Sequence, residues 1–416
     1  MTARQIVETG SIVTFFQPIL SARQRAIVGA EALSRGVVGM EALTRGTASH
    51  DGKGQLMPPS KLFRMAANEG VTVELERLCR KTAIDSFARV SGHEDLILFL
   101  NFGPSALEQD HTTLDDLVDQ IRAAGLSPRN VGVEILESAF EDTNKLRAKL
   151  DDFRACGFLL VLDDIGTGHS NLDRIPLIKP DILKLDRSLV VGIESDYHQQ
   201  ETFKSLVQLT RRIGSIVVAE GIETQGQAMV ALELGADLLQ GFFLGHPQCP
   251  EDLGNAQIAD RIDALARRYK AYMISRINQR KLQHRRFNII INQILCELTR
   301  VTATEFDDVL QTTLPQYENV VCVYIMDETG TQVSSTVLNH RIPRRDKGVM
   351  FRPAPRGADH SLKEYYYVLL DVDMQKYTTD PYVSLATGNL CRTISTCFRD
   401  SQNSKMYILC IDVLCE

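Results

Sequence analysis

Over roughly the first 245 residues, short apolar runs alternate with longer stretches in which apolar positions recur every three or four residues. The runs are TFFQPIL, AIVGAEAL, DLILFLN, NVGVEIL, FLLVLDD, DILKLD, SIVVAE and LLQGFFL. Most are rich in Val, Ile, Leu and Phe, as strands buried on both faces are. Between most of them lie helical patterns: PSKLFRMAANEG, VELERLCRKTAIDSFARV, LDDLVDQIRAAG, TNKLRAKLDDFRACG, QQETFKSLVQLTRRIG and TQGQAMVALELG. Several close on Gly, the usual residue just past a helix end. Eight runs with intervening helices over this length predict an α/β fold, a TIM-like (β/α)8 barrel closed by parallel strands. A doubly wound open sheet fits less well. It calls for a Gly-rich phosphate turn after the first strand, and GTGHSN at 166–171 does not match GxGxxG.

The pattern changes near residue 251. Ile258, Ile262, Leu265, Tyr269, Tyr272 and Met273 recur at helical spacing, the basic stretch RINQRKLQHRR follows, and Ile290, Ile294 and Leu298 resume the spacing. This predicts one long helix, or two joined, linking two domains. Beyond it, VVCVYIMDETGTQVSSTVL reads as a hairpin, and YYYVLLDVD and KMYILCIDVLC read as further strands, with PYVSLATGNLCRTIST between them. The organisation expected is therefore a barrel over 1–250, a helical linker over 251–300 and a small α+β domain over 301–416. A local duplication interrupts the barrel sequence: IVGAEALSRG is followed at once by VVGMEALTRG. Two copies do not make a solenoid. The repeat lengthens one loop.

Composition bounds the partners. The net charge is −7 and there is no global basic field to attract a nucleic-acid duplex. No apolar run reaches the roughly 18–20 residues that cross a bilayer, and the N-terminus lacks a signal-peptide pattern. Nine cysteines without a CxxC spacing fit reduced thiols. The expectation is a cytoplasmic protein without a membrane span.

The polar residues at the ends of the predicted strands carry the chemistry. AIVGAEAL holds Glu31, LILFLN ends in Asn101, VGVEI holds Glu134, and FLLVLDD ends in Asp163 and Asp164. DILKLD supplies Lys184 and Asp186, SIVVAEGIE supplies Glu220 and Glu223, and LLQG supplies Gln240. C-terminal strand ends of a barrel converge on one face. A ring of carboxylates gathered there repels itself unless cations compensate it. All-oxygen ligands select Mg²⁺, Mn²⁺ or Ca²⁺ over zinc. Two such ions can clamp a phosphate and activate a water.

The motifs FQPI (16–19), GAEALSRG (29–36), LNFGP (100–104), VEILES (133–138), LDDIGTGHSNL (162–172), ILKLDRSLV (182–190), VVAEGIET (217–224) and LLQGFFLGHP (238–247) fall in one order over about residues 11–250. Together they resemble the EAL-family cyclic di-GMP phosphodiesterases. The resemblance implies that two Mg²⁺ or Mn²⁺ ions are held by Glu31, Asn101, Glu134, Asp163, Asp164 and Glu220. It implies that Lys184 holds the attacking water and the developing charge, with Glu220 and Glu223 in the catalytic set. It also implies that Arg35, Asp186 and Gln240 position cyclic di-GMP, that Glu137 braces the DDIGTG loop, and that the product is the linear dinucleotide pGpG.

Three positions depart from the family pattern: Leu136 where Thr is usual, Ile165 where Phe is usual and His169 where Tyr is usual. None is a ligand, but all adjoin the loop behind the metal-binding aspartates, so a non-catalytic cyclic di-GMP receptor is the alternative function. A barrel that binds no nucleotide fits least well. The duplication offers two acidic positions. Glu31 lies at the usual distance from QPI and Glu41 nearer the usual distance from PPSKLF; register fixed by a hairpin favours Glu31. DPYVSLATG (380–388) resembles a segment of PAS-like and Cache-type sensor domains, which implies a C-terminal regulatory domain answering an unknown small-molecule or protein signal. A long linking helix of the kind read over 251–300 often pairs with its copy, so a homodimer is expected.

Overall fold

In the computed structural model the apolar runs become the staves of a closed barrel. The structure describes residues 2–21, 37–47, 56–103, 112–135, 143–167, 172–250, 256–343, 351–371, 375–402 and 405–415. The chain divides into two compact units, Met1–Ser275 and Arg276–Glu416.

In the first unit the strands are β1 (Ile12–Leu20), β2 (Val37–Thr47), β3 (Leu56–Met57), β4 (Ile97–Phe102), β5 (Val131–Ile135), β6 (Leu159–Ile165), β7 (Ile182–Leu185), β8 (Ile216–Ala219) and β9 (Leu238–Leu239). Their order is β1-β9-β8-β7-β6-β5-β4-β2, closed by β1 against β2, with β3 on the far end of β2. From β2 round to β9 the barrel neighbours run parallel. The expectation of a wholly parallel barrel is corrected at one stave: β1 runs antiparallel to both β2 and β9. Antiparallel neighbours do not need the long crossover connection that parallel neighbours require.

The helices behind the strands are α1 (Ala3–Thr9), α2 (Pro59–Glu69), α3 (Thr72–Phe87), α4 (Thr112–Ala123), α5 (Thr143–Cys156), α6 (Arg174–Ile178), α7 (Tyr197–Arg212) and α8 (Gln225–Leu234). Their sequences explain their ends. Thr224 and Gln227 form a reciprocal capping box at the start of α8, and Gly235 ends it in the left-handed region at φ 113°.

Alternation along the strands separates two cores. Leu98, Leu100, Leu160, Leu162, Leu183 and Val217 join the layer under the helices. Ile19, Phe99, Val161, Ile182, Val218 and Leu238 fill the lumen. Gly132 belongs to that lumen layer: a Cβ there would lie 3.1 Å from Val161 and 3.2 Å from Phe99, so a larger residue would press on both side chains of the filled interior.

Helix α9 (Ala256–Leu298) continues from the barrel unit into the second. Ile258, Ile262 and Leu265 are buried in the first unit's core, and Ile291, Ile294 and Leu298 in the second's. Among the described residues no helix is long and apolar enough to cross a membrane. Among the described residues no cysteine pairs in a disulfide.

The second unit is an antiparallel sheet of β10 (Val320–Asp327), β11 (Val337–Leu338), β12 (Lys376–Thr378), β13 (Tyr382–Val383), β14 (Leu390–Arg399) and β15 (Met406–Leu414). Its order is β11-β10-β15-β14-β12, with β13 on β14. One face packs Val323, Ile325, Leu409 and Ile411 with the end of α9 and with α10 (Phe306–Thr313). The segment expected as a strand, YYYVLLDVD, is instead largely helix, α11 (Glu364–Asp371). Its aromatic and β-branched residues favour a strand locally. Tertiary packing overrides that preference: Tyr365 and Leu369, four apart, share one buried face against Tyr324, Met326, Ile408 and Cys410.

A buried acid organises that same side of the sheet. Asp412 is 2% exposed. It accepts hydrogen bonds from Ser384 Oγ (2.8 Å), Thr393 Oγ1 (2.8 Å), Tyr382 Oη (3.2 Å) and Cys322 Sγ (3.4 Å). Asp412→Ala strands these donors in a site closed to water and is expected to destabilise the second unit by about 2–5 kcal/mol. Near-UV circular dichroism reads this unit, because Tyr317, Tyr324, Tyr365, Tyr366, Tyr367, Tyr377, Tyr382 and Tyr407 lie in it and the chain has no Trp. An unchanged tyrosine melting transition would show that Asp412 does not hold the sheet together.

Candidate active site at the mouth of the barrel

The strand period that fills the lumen also builds the site. Two residues beyond each lumen side chain, the next inward position is polar. Phe99 is followed by Asn101, Gly132 by Glu134, Val161 by Asp163, Ile182 by Lys184 and Val218 by Glu220. On β2 the corresponding residue is Glu41, paired with Gln17 of β1 and Phe99 of β4.

Lys184 is the centre of the constellation and is 1% exposed. Its Nζ lies 2.6 Å from Glu134 Oε1, 2.7 Å from Glu220 Oε1, 3.2 Å from Asp163 Oδ1 and 3.3 Å from Glu41 Oε2. With all four acids ionised, the formal charge of this group would be −3, a load that burial resists. Asp164 stands beside them, and one oxygen each of Asp163, Asp164 and Glu220 lie within 4.8 Å of one another.

Crowding shifts the acids. Burial, reinforced by Glu41 and Asp163, pushes the Glu134 carboxyl well above the usual range in spite of Lys184. Burial pushes Glu220 up to about 8, with Asp163 and Glu41 adding to it. Burial and the neighbouring Asp163 and Asp186 raise Asp164 to about 6. Glu41 goes the other way. Burial raises it, but Lys184's charge and hydrogen bonds from Gln240, Lys184 and Asn101 outweigh burial and hold it below the usual value. For Lys184, burial disfavours the ammonium, yet the surrounding carboxylates win and keep it firmly protonated.

The donor set fits divalent cations. It is all oxygen. Glu134 Oε2 is sealed from solvent and has no hydrogen-bond partner, and Gln240 Oε1 is in the same condition. A buried carboxylate oxygen left unpaired is costly unless a cation meets it. Asp164 sits at φ 59°, in the left-handed region, with its N–H donating 2.9 Å to Asp163 Oδ1. Such strain in a non-glycine residue persists where the surroundings impose it, and it turns adjacent aspartates toward one site.

The other residues named from sequence are placed as follows. Gln240 is buried and donates from Nε2 to Glu41 Oε2 at 2.7 Å. Asn101 is exposed at its strand end and hydrogen-bonds Glu41. Asp186 accepts from Ser188 N at 2.8 Å, capping a short 3₁₀ turn. Glu223 is paired with Arg187 at 2.9 Å on the exposed rim and does not touch the Lys184 cluster. Ile165 is buried in the layer under the helices. Glu31, Arg35, Leu136, Glu137 and His169 lie outside the described residues.

The preference for Glu31 is corrected here, because the acid seated against Lys184 is Glu41. A site acid at Glu31 would require the strand to begin in the first copy of the repeat. The ladder uses the second copy, with Gly39, Met40 and Glu41 in parallel register with Ile97, Leu98 and Phe99. One participant, Gln17, and one residue matched by the repeat, Arg45, escaped the sequence reading. Gln17 accepts from Gln240 Nε2 at 3.4 Å and donates to Gly245 O at 3.1 Å; its signal was a polar residue inside the apolar run TFFQPIL. Arg45 is the second-copy counterpart of Arg35, visible in the repeat itself.

The EAL domain, as a family, matches residues 2–247, more than half of the chain. The chain belongs to the EAL-domain family. An EAL-domain-containing protein of Bacillus subtilis, YkuI, is 25% identical over 397 residues, covering 92% of this chain and 91% of that protein. MucR of Pseudomonas aeruginosa, a bifunctional diguanylate cyclase/cyclic di-GMP phosphodiesterase, is 30% identical over 260 residues, 60% of this chain but only 35% of MucR. The crystal structure of YkuI in complex with c-di-GMP and calcium superposes over the full length of both chains with a TM-score of 0.80 at 24% identity. The MucR phosphodiesterase in its c-di-GMP complex matches 60% of this chain and 97% of that one, with a TM-score of 0.51 at 26% identity. Within this EAL-domain protein the mouth built around Lys184 is the candidate active site.

Proposed function

We propose that this protein hydrolyses cyclic di-GMP to linear pGpG in a reaction that depends on divalent cations. The observation that carries the reading is the buried Lys184 enclosed by Glu41, Glu134, Asp163 and Glu220, with one oxygen of Glu134 left without a partner. The calcium and cyclic di-GMP bound by YkuI and the phosphodiesterase activity named for MucR support the same reading.

Glu41, Asn101, Glu134, Asp163, Asp164 and Glu220 would hold two Mg²⁺ or Mn²⁺ ions. When bound, such ions supply Lewis acidity toward the phosphate and make a water acidic enough to attack. The chain's own residues do the rest. Lys184, held protonated, places a fixed positive charge where negative charge grows on the phosphoryl oxygens as the P–O ester bond breaks. Gln240 and Asn101 fix the Glu41 carboxylate through hydrogen bonds. Asp186 and the Glu223–Arg187 pair line the rim that meets the dinucleotide. Arg35 or its counterpart Arg45 meets a phosphate. On this reading the second unit regulates turnover and the protein acts in the cytoplasm.

Purified protein incubated with cyclic di-GMP and Mg²⁺ or Mn²⁺ is expected to release pGpG, resolved by chromatography, and EDTA is expected to stop it. Nucleotide binding without product under all ion conditions would replace the hydrolase by a receptor. Equal turnover and oligomeric state in a chain ending at Ser275, checked for folding by circular dichroism, would remove the regulatory role.

A further inference from the structure

Beside the barrel mouth, a cavity of about 420 Å³ is lined by side chains that the carboxylate site around Lys184 does not use. Phe242 and Phe243 belong to the segment that follows Gln240, Gln225 opens α8, and Arg261 and Arg268 stand on α9. Phe242 is 52% exposed, unusual for a phenylalanine, and its ring stacks on His246 with centroids 4.5 Å apart and planes 30° apart. The pair offers an open flat aromatic face.

The cations are the second observation. Arg261 donates to Leu244 O at 3.4 Å, and Arg268 donates to Gln225 Oε1. Among the described residues neither guanidinium is held in an ion pair, so their charge is not spent on a carboxylate. Seven residues apart on one helix, they share a face and stand about 10 Å apart along its axis. Guanidinium groups meet phosphate oxygens bidentately. The volume falls within the range of small-molecule sites. The N-terminal end of α8, where Gln225 sits, adds favourable potential for an anion.

We infer that this cavity is a second ligand site, for a planar aromatic anion of the size of a nucleoside monophosphate, with Phe242 and His246 stacking on the ring and Arg261 and Arg268 taking the phosphate. It has a mechanical route to the first site. Phe243 N donates to Ile222 O at 3.0 Å, and Gly241 sits so close to Ile222 that a Cβ would lie 2.2 Å from its carbonyl oxygen. Ile222 stands between Glu220 and Glu223, and Gly241 follows Gln240. A ligand fixing Phe242 therefore bears on both segments that carry mouth residues.

The test uses the full chain in EDTA, which removes ion-dependent binding at the carboxylates, with guanosine 5′-monophosphate as the probe in calorimetry. Saturable binding is expected, weakened about tenfold or more by Arg268→Gln and by Phe242→Ala, the loss of one good contact. Arg261→Gln repeats the charge test should either variant misfold by circular dichroism. Guanosine alone and inorganic phosphate alone are each expected to bind at least about tenfold more weakly than the nucleotide. Glu220→Gln is expected to leave the affinity unchanged. The inference is overturned by absence of binding, by binding indifferent to these arginine and phenylalanine changes, by phosphate binding as tightly as the nucleotide, or by loss of binding in Glu220→Gln. None of these outcomes bears on whether cyclic di-GMP is hydrolysed.

Discussion

Lys184→Met is expected to abolish pGpG formation, by about a thousandfold or more, and to make the ion-free barrel markedly less stable. Both effects come from one position. Lys184 is 1% exposed and lies within 3.3 Å of four carboxylates. Removing one partner of a buried ion pair costs about 3–5 kcal/mol because the other charge is stranded. Here four acids lose their shared cation, and some of them answer by taking up protons. Divalent ions can take over that compensation, so Mg²⁺ or Mn²⁺ should restore much of the lost melting temperature. The ions cannot replace the ammonium aimed at the phosphoryl group, and loss of such preorganised stabilisation costs about 10²–10³ in rate or more. The variant should therefore fold with ions and remain inactive. Thermal unfolding in EDTA and in Mg²⁺, alongside a pGpG assay, separates the two effects. Turnover within a few-fold of the parent would remove Lys184 from the mechanism.

Glu41→Gln is expected to lower divalent-ion-dependent hydrolysis at least a hundredfold, whereas Glu31→Gln leaves it unchanged. The two acids sit in near-identical sequence, GAEAL and GMEAL, so local propensity treats them alike. Glu41 receives the Gln240 amide at 2.7 Å and faces Lys184 at 3.3 Å. Glutamine keeps the size but removes the charge, and a ligand carboxylate cannot be replaced by a neutral amide without loss of ion affinity; ligand changes of this kind reach about 10–100-fold even one shell further out. The measurement is the Mg²⁺ or Mn²⁺ dependence of pGpG formation in each variant, with the ion-induced rise in melting temperature as a second readout. Loss of activity in Glu31→Gln with Glu41→Gln active would reverse the assignment made from the ladder.

Much of this protein was legible in one dimension. Period-two alternation in FLLVLDD and DILKLD places Val161 and Ile182 in the lumen, and so it also places Asp163 and Lys184 at its mouth. The same residues specify both the fold and the acidic ring, because a barrel strand has to turn alternate side chains inward. Helix ends were equally readable, since Gly70 and Gly235 adopt the left-handed conformation that other residues avoid.

What the sequence could not settle were choices between locally equivalent alternatives. The repeat offers two copies of one strand. Only the parallel ladder of β2 on β4 chooses between them, a contact between residues some sixty positions apart. YYYVLLDVD has the composition of a strand, and the face that Tyr365 and Leu369 bury against β10 and β15 makes it mostly helix. The direction of β1 follows from which strands lie beside it, not from its own residues. The cavity of Phe242, His246, Arg261 and Arg268 joins side chains from a loop and a helix whose sequences carry no shared pattern. Periodicity is a property of the local chain and survives in the sequence; register, partner and cavity depend on long-range packing and exist only once the chain has closed on itself.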